Sequence, residues 1–179
     1  MLKKSLTFLF FLVFFFLIPP AFYFLQSQPV NLSQEKIEYN LPYPGILPDH
    51  PLFFLKNTRD KILELTTRDT LKKAELYLLF SDKRVAMAFN LTKNGKNRLA
   101  AKAFLEAEEY FLKVTPLLET SKKQGVSATS DLIQRLKLSN VKHKEVGGNL
   151  LRDLPQDLSG EVNKTLNLNQ QIKKKIEKL

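Results

Sequence analysis

The sequence has no cysteine, no tryptophan and only two histidines in 179 residues. Without cysteine there is neither a disulfide nor a lipidated export cysteine, so stability has to come from packing alone. His50 and His143 lie far apart in the chain, which leaves a serine or threonine nucleophile without an evident base. Neither histidine follows a glutamate at the spacing of a di-iron bundle: Leu47 and Asn140 stand three residues before them. No catalytic residue, metal ligand set or cofactor is expected, and the chain reads as a non-enzyme. Strand-like alternation of useful length is missing too. After Leu52 only Pro116 and Pro155 remain of nine prolines.

Charge is absent from one long stretch. Lys4 and Glu35 bracket a span with no charged residue, and Leu6 to Leu25 is almost unbroken apolar sequence. At about 1.5 Å rise per residue it reaches roughly 30 Å, one hydrocarbon core. Leu6, Phe11, Phe16, Ile18 and Leu25 mark this expected membrane anchor. Lys3 and Lys4 on its N-terminal side keep the short tail in the cytoplasm and place the bulk of the chain outside the cell membrane. Secretion after signal cleavage is the alternative. The flank from Phe22 to Ser27 offers almost no small residues for a cut, which favours a single-pass anchor.

The net charge is +10, and 26 basic residues against 18 acidic ones remain once Lys3 and Lys4 are set aside. In a cytosolic chain that surplus would point to nucleic acid. Outside the membrane it points to anionic lipid headgroups, an envelope polymer or another envelope protein, or simply to a solvated lysine-rich surface. Nucleic acid is not an expected partner; the oligomeric state is left open.

The expected organisation is an anchor over residues 1–26, a proline-rich linker over 27–49, a three-helix core over 50–124 and a helical extension over 125–179. The linker ends in Leu41-Pro-Tyr43-Pro-Gly45-Ile-Leu47-Pro-Asp49-His-Pro51, a stiff strap whose apolar residues should pack on the domain behind it. Asp49 or His50 caps a first helix with the stripe Leu52, Leu55, Ile62 and Leu65. Thr67 or Asp69 starts a second, carrying Leu71, Ala74, Leu78, Val85 and Ala88 to a stop at Asn94-Gly95. A third runs from about Lys96 to Gln124 with a kink at Pro116. A fourth begins at Ser130-Asp131 and is expected to bend or break at Gly147-Gly148. A fifth follows Pro155. The fold class is all-α: a transmembrane helix, a proline-rich linker and an antiparallel bundle of about five helices, with the second and third as its central hairpin.

Leu41 to Leu52, with Leu55-Lys56, Arg59-Asp60, Lys72 to Leu76 and Asp82-Lys83-Arg84, resembles the bacterial family named domain of unknown function 5667. The resemblance runs from about Leu41 to Leu117. It implies an exported or membrane-anchored helical module and no particular reaction.

Four charged residues, Arg59, Glu75, Asp82 and Arg84, are candidates for structural ion pairing. Glu75 and Asp82 fall on the apolar stripe of the second helix, where Arg59 or Lys56 of the first is their natural partner. Glu106, Glu109 and Lys113 read as surface pairing, and His143, between two lysines, as exposed. Lys173, Lys174, Lys175 and Lys178 form a basic end that complements the helix dipole or meets a polyanion or membrane. The expected role is a membrane-anchored extracytoplasmic interaction or structural module of the envelope. A sensory ectodomain that binds a small ligand and signals through a partner membrane protein is the alternative.

Overall fold

The computed structural model describes residues 39–179. The expected anchor, with Leu6, Phe11, Phe16, Ile18 and Leu25, lies outside the described residues. Their regular structure is all helix: α1 Phe53–Thr66, α2 Thr70–Lys93, α3 Asn97–Leu112, α4 Val114–Lys123, α5 Ser130–Asp153 and α6 Ser159–Ile176, with a 3-10 turn at Gln156–Leu158 before α6. No helix among them is long and apolar enough to cross a membrane.

Local chemistry sets the helix ends. His50 Nδ1 accepts the Leu52 N–H at 3.1 Å, closing the turn that leads into α1. Asp69 caps α2 by accepting the Lys72 N–H at 2.8 Å, and Thr129 caps α5 through Leu132 at 3.2 Å. The α2 stop is a left-handed Gly95 at φ 69°. There the Lys96 N–H returns to the Leu91 carbonyl at 2.8 Å. Pro116 lacks an amide hydrogen and its ring crowds the carbonyl four residues back. α3 accordingly ends at Leu112 and α4 restarts at Val114. Counted as one broken rod, α3 and α4 bring the total to five.

α2 and α3 run antiparallel: Tyr77 meets Tyr110, Ser81 meets Ala107 and Arg84 meets Glu106. α5 and α6 do the same through Asn140–Asn169 and Gly147–Leu166. α3 also packs on α6, and α5 on α2, so the four long rods close a ring. Their interior divides into two apolar halves. One holds Val85, Leu91, Phe104, Val146, Leu150 and Val162; the other holds Leu78, Phe80, Phe111, Leu132, Leu136 and Ile172.

Two expectations fail here. α5 passes unbroken through Gly147-Gly148. Gly147 is where α5 meets α3 and α6, since a Cβ on it would stand 2.6 Å from both Leu166 Cδ2 and Phe104 Cζ. The missing side chain permits close packing, and neighbouring rods hold the helix straight. The second failure is α1, which is turned inside out. Its stripe residues Leu52, Leu55, Ile62 and Leu65 are exposed, whereas Lys56 and Asp60 are buried. Its inward face is tied by polar contacts: Tyr77 Oη donates to Glu64 Oε1 at 2.6 Å, and Lys56 Nζ reaches Met87 Sδ at 3.7 Å.

Candidate functional site

A polar layer crosses the bundle between its two apolar halves. Ser81 and Asp82 of α2, Glu108 of α3, Ser139, Asn140 and His143 of α5, and Thr165 and Asn169 of α6 are all buried there. His143 occupies its centre. Its Nε2 lies 2.9 Å from Asp82 Oδ1 and its Nδ1 lies 2.8 Å from Glu108 Oε1. The Phe111 ring packs edge-on against the imidazole at a centroid distance of 5.2 Å.

The imidazole is fully buried, and burial alone would drive it neutral. The charge of Glu108, hydrogen bonds to Asp82 and Glu108 and the charge of Asp82 override that penalty and push its pKa up to about 9. At neutral pH His143 is therefore a cation that donates from both ring nitrogens, one to each carboxylate.

The carboxylates have further donors. Asp82 accepts the Ser139 hydroxyl at 2.6 Å and the Tyr39 hydroxyl at 2.7 Å. Tyr39 lies just ahead of the proline-rich strap, and its phenol pKa is raised by burial and by the Asp82 charge. Glu108 accepts from Asn169 Nδ2 at 3.3 Å. Asn140 and Asn169 exchange side-chain-to-backbone bonds across α5 and α6 at 3.0 and 3.1 Å.

The distances permit one reactive comparison. Ser139 Oγ is 3.3 Å from His143 Nε2, with Glu108 on the other ring nitrogen, the order of a serine–histidine–carboxylate relay. Ser139, however, has no exposed surface and donates its proton to Asp82. Two cavities, of about 410 and 440 Å³, lie elsewhere. The layer's work is to fix charges against one another. No group of three ligating side chains placed to hold a metal occurs among the described residues.

The four candidate ion-pairing residues are not brought together. Asp82 joins His143. Glu75 pairs with Arg135 of α5 at 3.3 Å, on the surface. Arg59 binds its neighbour Asp60 at 2.7 Å. Arg84 is buried, faces Glu106 at 3.5 Å and lies 4.2 Å above the Tyr110 ring. The expected Arg59 or Lys56 partnership with Glu75 and Asp82 does not form. α5 packs beside α2 and supplies their partners instead, Arg135 to the exposed Glu75 and His143 to the buried Asp82. Glu106 likewise turns to Arg84 and not to Lys113, whose ammonium sits over the Tyr110 ring at 4.7 Å. Lys173, Lys174, Lys175 and Lys178 are exposed, and Lys173 approaches Glu177 at 3.7 Å.

Sequence reasoning placed His143 outside because Lys142 and Lys144 flank it. The overlooked signal was its spacing. Leu132, Leu136, Ser139, His143, Val146 and Leu150 alternate steps of four and three, one continuous helical face. Leu158, in the turn before α6, and Val162, Thr165, Asn169, Ile172 and Ile176 along it repeat that rhythm.

A family model described as Domain of unknown function (DUF5667) matches residues 45–179. The chain belongs to this family. Its DUF5667 domain takes in α5 and α6, beyond the Leu117 limit of the resemblance seen in the sequence alone. Their share of the polar layer gives that extent a physical basis, because the α2–α3 hairpin by itself would leave Asp82 and Glu108 without His143. No curated protein and no solved structure matches the chain.

Proposed function

We propose that this DUF5667 protein is a membrane-anchored, extracytoplasmic interaction or structural module of the cell envelope, without catalytic activity. The observation that carries this reading is the uncharged Leu6–Leu25 run behind Lys3 and Lys4, set ahead of a bundle whose buried His143, Asp82 and Glu108 are paired with one another. A reactive or sensing centre keeps polar groups open to a ligand; the His143 layer presents none. The basic surplus suits anionic surroundings outside the membrane.

Fractionation and protease protection test the reading. The full chain should stay in the membrane pellet through alkaline extraction, and protease added to intact spheroplasts should digest the helical domain. Release by alkali, or protection of the domain until the membrane is broken, refutes it.

A sensory ectodomain is the second reading. It is favoured by one feature, the cavity between strap and α1 that contains Lys56, Arg59 and Lys83. A small anionic ligand that raises the melting temperature of the chain in detergent would support it.

A further inference from the structure

Helix α1 presents its apolar side to solvent. Phe54, Leu55, Ile62 and Leu65 are 61, 52, 55 and 79% exposed, although their spacing is that of a buried stripe. Such a contiguous face marks an interaction site. The exposed charges on α1 itself have one sign, with Asp69 beyond its end. Both carboxylates of α1 face inward, Asp60 onto Arg59 and Glu64 onto Tyr77. Arg59, Lys61 and the following Arg68 are left exposed.

Beside this face is the cavity of about 440 Å³. Lys56, Arg59 and Lys83 stand in its wall, and Tyr43, Ile46 and Leu55 give it an apolar border. Tyr43 is 83% exposed. Lys56 is buried, and among the described residues its ammonium has no carboxylate in contact, only Met87 Sδ and the Phe53 ring.

We propose that α1 and the strap dock on the outer surface of a bilayer containing anionic phospholipid. The outward side chains of α1 enter the boundary between headgroups and acyl chains, and a headgroup phosphate sits among Lys56, Arg59 and Lys83. Apolar and cationic features on adjoining surfaces are what an interfacial helix requires. The inference rests on the anchor reading of Leu6–Leu25. Leu25 and Tyr39 are separated by a stretch that spans at most about 50 Å when fully extended, so a chain anchored through Leu25 allows α1 to reach the lipid surface. A second copy on this face is disfavoured by charge, since a two-fold contact would set Arg59, Lys61 and Arg68 against their own counterparts.

Full-length protein carrying Ile62→Cys or Leu65→Cys tests the proposal, with Lys164→Cys on α6 as the control; the chain has no other cysteine. Each variant is labelled with an environment-sensitive fluorophore and reconstituted in vesicles of equimolar phosphatidylcholine and phosphatidylglycerol, or of phosphatidylcholine alone. Doxyl-labelled lipids should quench the probes at Ile62 and Leu65 in the anionic vesicles, and severalfold less in neutral ones. The control should stay unquenched. Combined Arg59→Gln and Lys83→Gln substitutions, the first exposed and the second half-buried, should reduce the quenched fraction severalfold. Probes that remain in water in anionic vesicles overturn the proposal. So does a blue-shifted probe that lipid quenchers cannot reach, because protein then covers the face. Energy transfer between copies that persists on dilution into excess lipid overturns it as well. Alkaline extraction of the same vesicles reports separately on the anchor: a retained but unquenched chain defeats only the docking, and a released but previously quenched chain defeats only the anchor.

Discussion

Raising the pH through the alkaline range should weaken this bundle by way of one imidazole. His143 binds its proton more tightly in the folded chain, with a pKa of about 9 against an ordinary 6.5. Its contribution to stability is therefore full below pH 6.5 and is lost as the pH rises through about 9. At 1.36 kcal/mol per unit, the shift is worth on the order of 3 kcal/mol. That is a large part of the 5–15 kcal/mol typical of a folded domain. Lys56 works in the opposite sense: burial pushes it down to about 8, so its penalty eases from there toward 10.5. The measurement that isolates His143 is a nuclear magnetic resonance titration of the two histidine rings in the full chain held in detergent micelles. His143 should titrate near pH 9, and Glu108→Gln or Asp82→Asn should each move its midpoint downward by removing one neighbouring charge. A midpoint at or below 6.5 in the unmutated chain refutes the argument, because desolvation would then outweigh the two carboxylates.

Gly147→Ala should lower the melting temperature even though alanine is the better helix former. A Cβ at 2.6 Å from Leu166 and Phe104 forces both to move, and overpacking of about 1–3 kcal/mol exceeds a propensity gain near 1 kcal/mol. Gly148→Ala, with nothing near its Cβ, is the neutral or stabilising control. Lys56→Met should stabilise the chain to urea by roughly 1–3 kcal/mol at neutral pH, since it removes a charge whose pKa burial has lowered to about 8. The gain should shrink as the pH passes 8 toward 10.5, and a gain that is constant with pH counts against this cause.

What was legible in the sequence is what local chemistry decides. Asp69 and Asn94-Gly95 bound α2 because a side-chain cap and a left-handed turn need no distant partner. Pro116 likewise announced the break between α3 and α4. The burial of α1 could not be read in the same way. Periodicity shows that Leu55, Ile62 and Leu65 share a face, not that the face turns inward. Lys56 and Glu64 hold the opposite side through contacts with Met87 and Tyr77 of α2 that no spacing within α1 encodes. The polar layer lies between these cases. His143 and Asn169 sit in unbroken helical rhythm with leucines and isoleucines, but a polar residue on an apolar stripe is intelligible only with its partners in view. Asp82 drew attention for that reason, yet its partner came from α5, sixty-one residues along the chain, and not from α1.

The polar layer also changes what the connections between helices have to do. In an all-leucine bundle a rod that slides by one turn, about 5.4 Å, finds much the same environment, and tight loops are needed to keep it in step. Here such a slide would carry His143 off Asp82 and Glu108, or Asn169 off Asn140, and leave a charge or an amide facing hydrocarbon. Alignment is thus enforced at the waist of the bundle and not at its ends. The exposed turn at 124–127 should accordingly accept an inserted peptide while the four rods keep their alignment, whereas 154–158 holds Leu154 and Leu158 in the core.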